Sequence, residues 1–263
     1  MTAHLGDILV YTLLGFSVLY PLFLWFTPRH KIDSGFYNFN LGLSGTIGGM
    51  ALILSWATDM DQMFVFGIAG WLGLHLLVTY LYWNNEKISN AVISFVSFIG
   101  SLVFILFARS MFPDSNPYLI AFTGYVSQSI LAGVMFAMIL GHWYLNVIAL
   151  PINLLKKATM SLWGLLIIRS IWDIVYLSTN TIVDTFGISH NLWMFMFQFD
   201  GFLLAVAFFM GNIVPITLNF FIWRTLKLQA TQSATGLLYV SIVSILFGDL
   251  LFKYYLLQYG FLV

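Results

Sequence analysis

The chain has 263 residues, of which 60% are hydrophobic and 8% charged, with a mean hydropathy of +0.93. A soluble domain carries about 25% charged residues, so this composition cannot cover a water-facing surface and requires lipid as its solvent. Ten basic and ten acidic residues cancel, which leaves no basic footprint for nucleic acid, and the lack of cysteine excludes disulfides, thiolate chemistry and Cys-ligated metal centres within the chain.

Apolar runs of about 20 residues recur between short polar breaks, the pattern of a polytopic helical membrane protein. The sequence predicts an all-α fold: a single transmembrane domain over residues 1–263, with spans near 7–26, 38–56, 63–83, 90–109, 119–145, 158–178, 193–223 and 233–258. Met1 to Asp7 lacks the basic stretch of a cleaved signal peptide, so the first run reads as a retained span. Thr27-Pro28-Arg29-His30-Lys31 closes it. Span two is rich in glycine and opens with Asn38 and Asn40. Span three carries His75 at its middle and ends at Trp83-Asn84-Asn85-Glu86-Lys87. In span four, Ser94, Ser97 and Ser101 follow helical spacing and predict a close helix contact. Pro113-Asp114-Ser115-Asn116-Pro117 then makes the turn into span five.

Span five holds the polar run Ser127-Gln128-Ser129 and ends in Gly141-His142-Trp143-Tyr144-Leu145-Asn146, ahead of Pro151. Span six carries Arg169 and Asp173. Span seven, read as one helix from 193, carries Asp200 and a proline-broken stretch, Gly211-Asn212-Ile213-Val214-Pro215, followed by Asn219. Span eight carries Asp249 and Lys253. Trp25, Trp56, Trp83, Trp143, Trp193 and Trp223 lie near span ends, where an interfacial belt is expected.

The odd-numbered loops carry Arg29, Lys31, Lys87, Lys156, Lys157, Arg224 and Lys227, whereas the even-numbered ones hold Asp59, Asp61, Asp114 and Asp184, with Arg109 at a boundary. The positive-inside rule then puts the odd loops in the cytoplasm and both termini outside, an arrangement that suits a bacterial inner membrane.

The five ionisable residues of the last three spans are the principal candidates, because a charge at membrane depth costs several kcal/mol unless paired or hydrated. With a rise of about 1.5 Å per residue, Arg169 falls near mid-membrane, Asp173 roughly 6 Å further out, and Asp200 roughly 10 Å below the outer edge. Asp249 shares that outer half, and Lys253 sits one turn nearer the surface, where it can snorkel. Arg169/Asp173 and Asp249/Lys253 are i,i+4 pairs able to bond along one helix face. Asp200 has no partner on its own helix, which makes it the first residue to mutate. Gln128 is an expected neighbour of the group. Charges that only fix helix packing are the plainer alternative.

His75 and His142 invite a bis-imidazole haem b, but along their helices they lie roughly 18 Å and over 30 Å below the outer edge, too far apart in depth for two axial ligands. His142, Trp143 and Tyr144 could instead hold a quinone ring, imidazole and phenol hydrogen-bonding while indole supplies a flat face; an interfacial belt explains them equally well. No metal-ligating motif is present, nor a phosphate-cradling glycine loop or a nucleophile elbow. Asp249-x-x-x-Lys253 resembles the retinal helix of microbial rhodopsins, but the helix count and the Arg–Asp–Trp pattern of that family's third helix are missing. The loop-poor eight-span organisation is similar to that of quinone-handling membrane subunits of respiratory oxidoreductases, in architecture alone.

The expected function is therefore an integral membrane subunit of a redox or energy-converting complex, handling quinone or haem b and moving protons through Arg169, Asp173, Asp200 and Asp249. Its expected partners are membrane lipid and further membrane or peripheral subunits. Two alternatives stand beside it: a secondary transporter or channel with its site between spans five and eight, and a non-catalytic assembly subunit.

Overall fold

The computed structural model describes residues 5–28, 31–58, 60–83, 89–112, 115–147, 150–183 and 189–263. Arg29, His30, Asp59, Asn84, Asn85, Glu86, Lys87, Pro113, Asp114 and Asp184, which enter the predicted loops and orientation, lie outside the described residues. Eight helices are long and apolar enough to cross a membrane: Leu5–Phe26, Ser34–Ala57, Gln62–Trp83, Asn90–Met111, Pro117–Asn146, Asn153–Thr179, Phe202–Lys227 and Thr231–Tyr259. The molecule is thus an all-α, multi-pass membrane protein, and these helices are its spans one to eight.

Local chemistry sets their ends. Asp33, Ser89 and Asn116 accept hydrogen bonds from the backbone N–H groups of Phe36, Ala91 and Tyr118 and so start spans two, four and five. Pro117 occupies the first turn of span five, where its missing N–H is harmless. Within span one the α-helix Leu5–Leu19 tightens into a 3₁₀ segment, Tyr20–Phe26, at Pro21. Pro21 cannot donate to the carbonyl of Ser17, and the Ser44 hydroxyl of span two takes that acceptor at 2.7 Å. Span two, the Gly-rich one, is therefore anchored to span one by backbone chemistry and packs on span three along its other side.

Span one packs against spans two, four and five, span five against six and eight, and span eight against seven. The predicted serine contact in span four is partly a set of hydrogen bonds: Trp25 Nε1 donates to Ser94 Oγ at 2.7 Å, and Tyr125 of span five donates to the Ser101 carbonyl at 3.1 Å.

The seventh predicted span needs correction. The residues after span six form a two-stranded antiparallel hairpin, β1 (Thr181–Val183) and β2 (Ser189–Asn191), followed by a short helix, Leu192–Phe195, and a series of turns. The membrane helix begins only at Phe202. Gly201 explains the break: a Cβ there would lie 1.8 Å from the Phe195 carbonyl oxygen, so the chain folds back against itself at a point only glycine can occupy. The apolar residues that suggested an unbroken helix, Phe197 and Phe199, are exposed.

Further along span seven, Phe209–Ile213 is a π-turn. Here spans seven and eight meet backbone to backbone, and a Cβ on Gly248 would lie 2.5 Å from both N and Cα of Gly211. Ser244 of span eight donates to the Met210 carbonyl at 2.6 Å, occupying an acceptor within the distorted turn. Gly248→Leu should therefore force the two helices apart and destabilise the protein by about 3 kcal/mol or more. Thermal unfolding in detergent, followed by tryptophan fluorescence, checks this, with Gly49→Leu as a control at a position where a Cβ meets nothing within 4 Å.

Candidate functional site

Four oppositely charged side chains are buried together with polar partners between spans one, five, six, seven and eight. On span six, Arg169 Nε bonds both carboxylate oxygens of Asp173, at 3.0 and 2.9 Å. The i,i+4 spacing places both groups on one helix face, and Asp173 is fully buried. Asn212 Nδ2 completes the Asp173 shell at 2.7 Å, and Asn212 Oδ1 accepts from Ser170 at 3.2 Å. Asn212 lies inside the π-turn, so the helix distortion is what carries its amide to this acid.

On span eight, Lys253 donates to Asp249, and Ser127 of span five donates to the other oxygen of the same carboxylate. With the Gln128 amide nitrogen facing the Thr12 carbonyl at 3.1 Å, its oxygen accepts from Lys253 Nζ at 2.8 Å. The Lys253 ammonium also lies 5.6 Å from the ring centre of Tyr11, and the Arg169 guanidinium 4.5 Å from that of Phe252. A cavity of about 10 Å³, room for about one water, is lined by both Arg169 and Asp249 and joins the two ion pairs. The two ion pairs thus make up a buried network about one small cavity, the first supported by Asn212 and the second by Ser127 and Gln128.

Above it, on the side of the even-numbered loops, an open crevice of about 720 Å³ is bounded by Asp7, Asp61, Phe107 and Leu256. Leu256 is one helical turn from Lys253, and Asp7 one turn from Tyr11. Phe107 in the crevice wall and Tyr11 beside Lys253 have their ring centres 6.5 Å apart. Below it, Asn219 donates to the Thr159 carbonyl at 3.3 Å, while Asn219 Oδ1 and Ser241 Oγ are buried without a hydrogen-bond partner among the described residues. Such groups ordinarily take water, so polar positions continue from the network toward the opposite face.

Of the predicted site residues, Arg169, Asp173, Asp249 and Gln128 are brought together. Asp200 is not. It stands exposed in the turns before span seven, where its carbonyl accepts from the Tyr255 hydroxyl at 2.6 Å. Depth counting failed because it assumed an unbroken helix from 193. Lys253, expected to snorkel, is 5% exposed and part of the network.

The aromatic and histidine candidates disperse. His75 Nε2 bonds the Leu41 carbonyl of span two at 3.1 Å, a packing role. His142 is exposed and 3.5 Å from the Tyr239 hydroxyl, Trp143 packs edge-on against Phe36, and Tyr144 reaches the Pro151 carbonyl. Three successive helical residues point about 100° apart, so they cannot wall one pocket together. Span one's part in the site, through Tyr11 and Thr12, was missed. Thr12 hides its hydroxyl on the Ile8 carbonyl, so nothing in its residue type announces a contact made by its backbone.

No protein-family model, curated protein or solved structure matches this chain.

Removing one member of a buried pair leaves its partner's charge uncompensated. Asp173→Ala should cost about 3–5 kcal/mol, while the double variant Arg169→Met/Asp173→Leu should recover most of that loss. Thermal unfolding of both in detergent, compared with wild type, checks the expectation.

Proposed function

We propose that this protein is an ion-coupled secondary transporter whose site is the Asp173–Arg169–Asp249–Lys253 network between spans five and eight. The observation that carries this reading is the network itself, built around a π-distorted span and beside a small cavity. Ionisable groups at membrane depth commonly mark ion or proton pathways, and broken membrane helices commonly build the sites of transporters. The crevice above, with Asp7 and Asp61 at its mouth, supplies an approach for a proton or cationic solute. The Asn219 and Ser241 groups below supply positions for water along an exit. In this reading Tyr11 and Phe107 form the closed side that alternating access requires. By the asymmetry of its basic loops, we place the crevice on the outer side of a bacterial inner membrane, with both termini there.

The quinone or haem b reading draws less support, since His75, His142, Trp143 and Tyr144 serve four separate places. Among the groups it relied on, the acid–base network remains, and that network suits proton movement without electron transfer.

The test is flux in reconstituted liposomes carrying a trapped pH-sensitive dye. Wild-type protein should pass protons, or a cation with them, down an imposed gradient, and Asp249→Asn should fall to the level of empty liposomes. Asp200→Asn, altering an exposed acid, should keep wild-type flux. Equal flux in wild type and Asp249→Asn, or none above empty liposomes in the wild type, would remove the transport reading.

A further inference from the structure

On the face opposite the crevice, a cavity of about 320 Å³ lies between the start of span six and the end of span seven. Three ammonium groups line it, those of Lys31, Lys156 and Lys157, and no carboxylate does. Among the described residues none of the three has an ion-pair partner. The first turn of span six contributes Asn153 to the same wall, and Ile152 ahead of it makes no side-chain cap, so the positive end of a 27-residue helix adds to the potential there. Arg224 and Lys227 stand on the neighbouring end of span seven, with Lys227 Nζ 5.8 Å from the ring centre of Trp223.

Like charges gathered without counter-ions repel one another unless an anion joins them. Trp223 forms one wall, and Met160, one turn deeper than Lys156 and exposed, forms another. The cavity thus runs from a cationic rim to an apolar flank at the level where a phospholipid passes from headgroup to acyl chain. We propose that it is a binding site for a phosphate group carried by an anionic phospholipid, with Lys31, Lys156 and Lys157 around the phosphate and Met160 and Trp223 along the first acyl carbons. The orientation rule places this face in the leaflet where anionic lipid and juxtamembrane lysines meet.

The full chain, purified in a neutral detergent, is titrated with phosphatidylglycerol, phosphatidylcholine and sn-glycerol 3-phosphate. Binding is read by native mass spectrometry and by the shift in unfolding temperature. Phosphatidylglycerol should bind at least about tenfold more tightly than phosphatidylcholine, and each Lys→Gln change among the three should weaken it about fivefold. The triple variant should lose the preference. Arg224→Gln, on the same face but outside the cavity lining, should retain it. The single variants keep the test decisive if the triple variant fails to fold. Equal binding of the two lipids, or an undiminished preference in the Lys→Gln variants, would overturn the site. Stabilisation by sn-glycerol 3-phosphate equal to that by phosphatidylglycerol would assign the cavity to soluble phosphate and overturn the lipid reading.

Discussion

The constraint from which the rest of the structure follows is the mutual neutralisation of Arg169, Asp173, Asp249 and Lys253 away from water. Transferring even one such ion from water to a dry interior costs several kcal/mol after relaxation, so none of the four is tolerable alone. Pairing along a helix at i,i+4 answers the charge, but a carboxylate still has oxygen lone pairs to fill and an ammonium has three hydrogens. Those requirements recruit Ser127 and Gln128 from span five, Asn212 from span seven and, through Gln128, the backbone of span one. Spans six and seven are thereby joined through one ion pair, and spans one, five and eight through the other, by polar groups. Apolar packing could not do this in lipid, where hydrocarbon outside the bundle is as good a neighbour as hydrocarbon within it.

The distortion in span seven belongs to the same account. A regular helix repeats every 3.6 residues, whereas the wider π-turn at Phe209–Ile213 changes the rotation of the residues before it relative to those after it. Asn212 sits in that turn and reaches Asp173, while Gly211 on the neighbouring position meets Gly248. A local departure from regular geometry therefore serves a hydrogen bond on one side and a close backbone crossing on the other. Such distortions in membrane helices persist where the surrounding helices hold them.

The number of spans and their approximate limits were legible because each hydrophobic run must be about as long as the bilayer is thick, a constraint that acts on composition and survives any detail of packing. The two i,i+4 ion pairs were legible for a similar reason, since their partners are fixed by helical geometry within one segment. Asp200 was misplaced because hydropathy does not distinguish an apolar segment that enters the membrane from one that turns at its surface, and the signal that would have done so was a single glycine, Gly201. The grouping of His142, Trp143 and Tyr144 failed on periodicity, as adjacency in sequence is divergence on a helix. Gln128 was legible by its depth beside the charges, whereas the contribution of Thr12 depends on which helices become neighbours, which the chain's order of spans leaves open.

The meeting of Gly211 and Gly248 has a mechanical consequence. Elsewhere in the bundle, interdigitated side chains key neighbouring helices together and resist axial displacement. At this crossing the two backbones touch directly, flanked by the Phe252 ring against Gly211 and by the Ser244 hydroxyl on the Met210 carbonyl. Separation there would forfeit close contact along both chains, and translation would break the Ser244 bond and drive the Phe252 ring against span seven. Spans seven and eight are thus pinned in one register at this level, which sets the relative depth of Asn212 on one and Asp249 on the other.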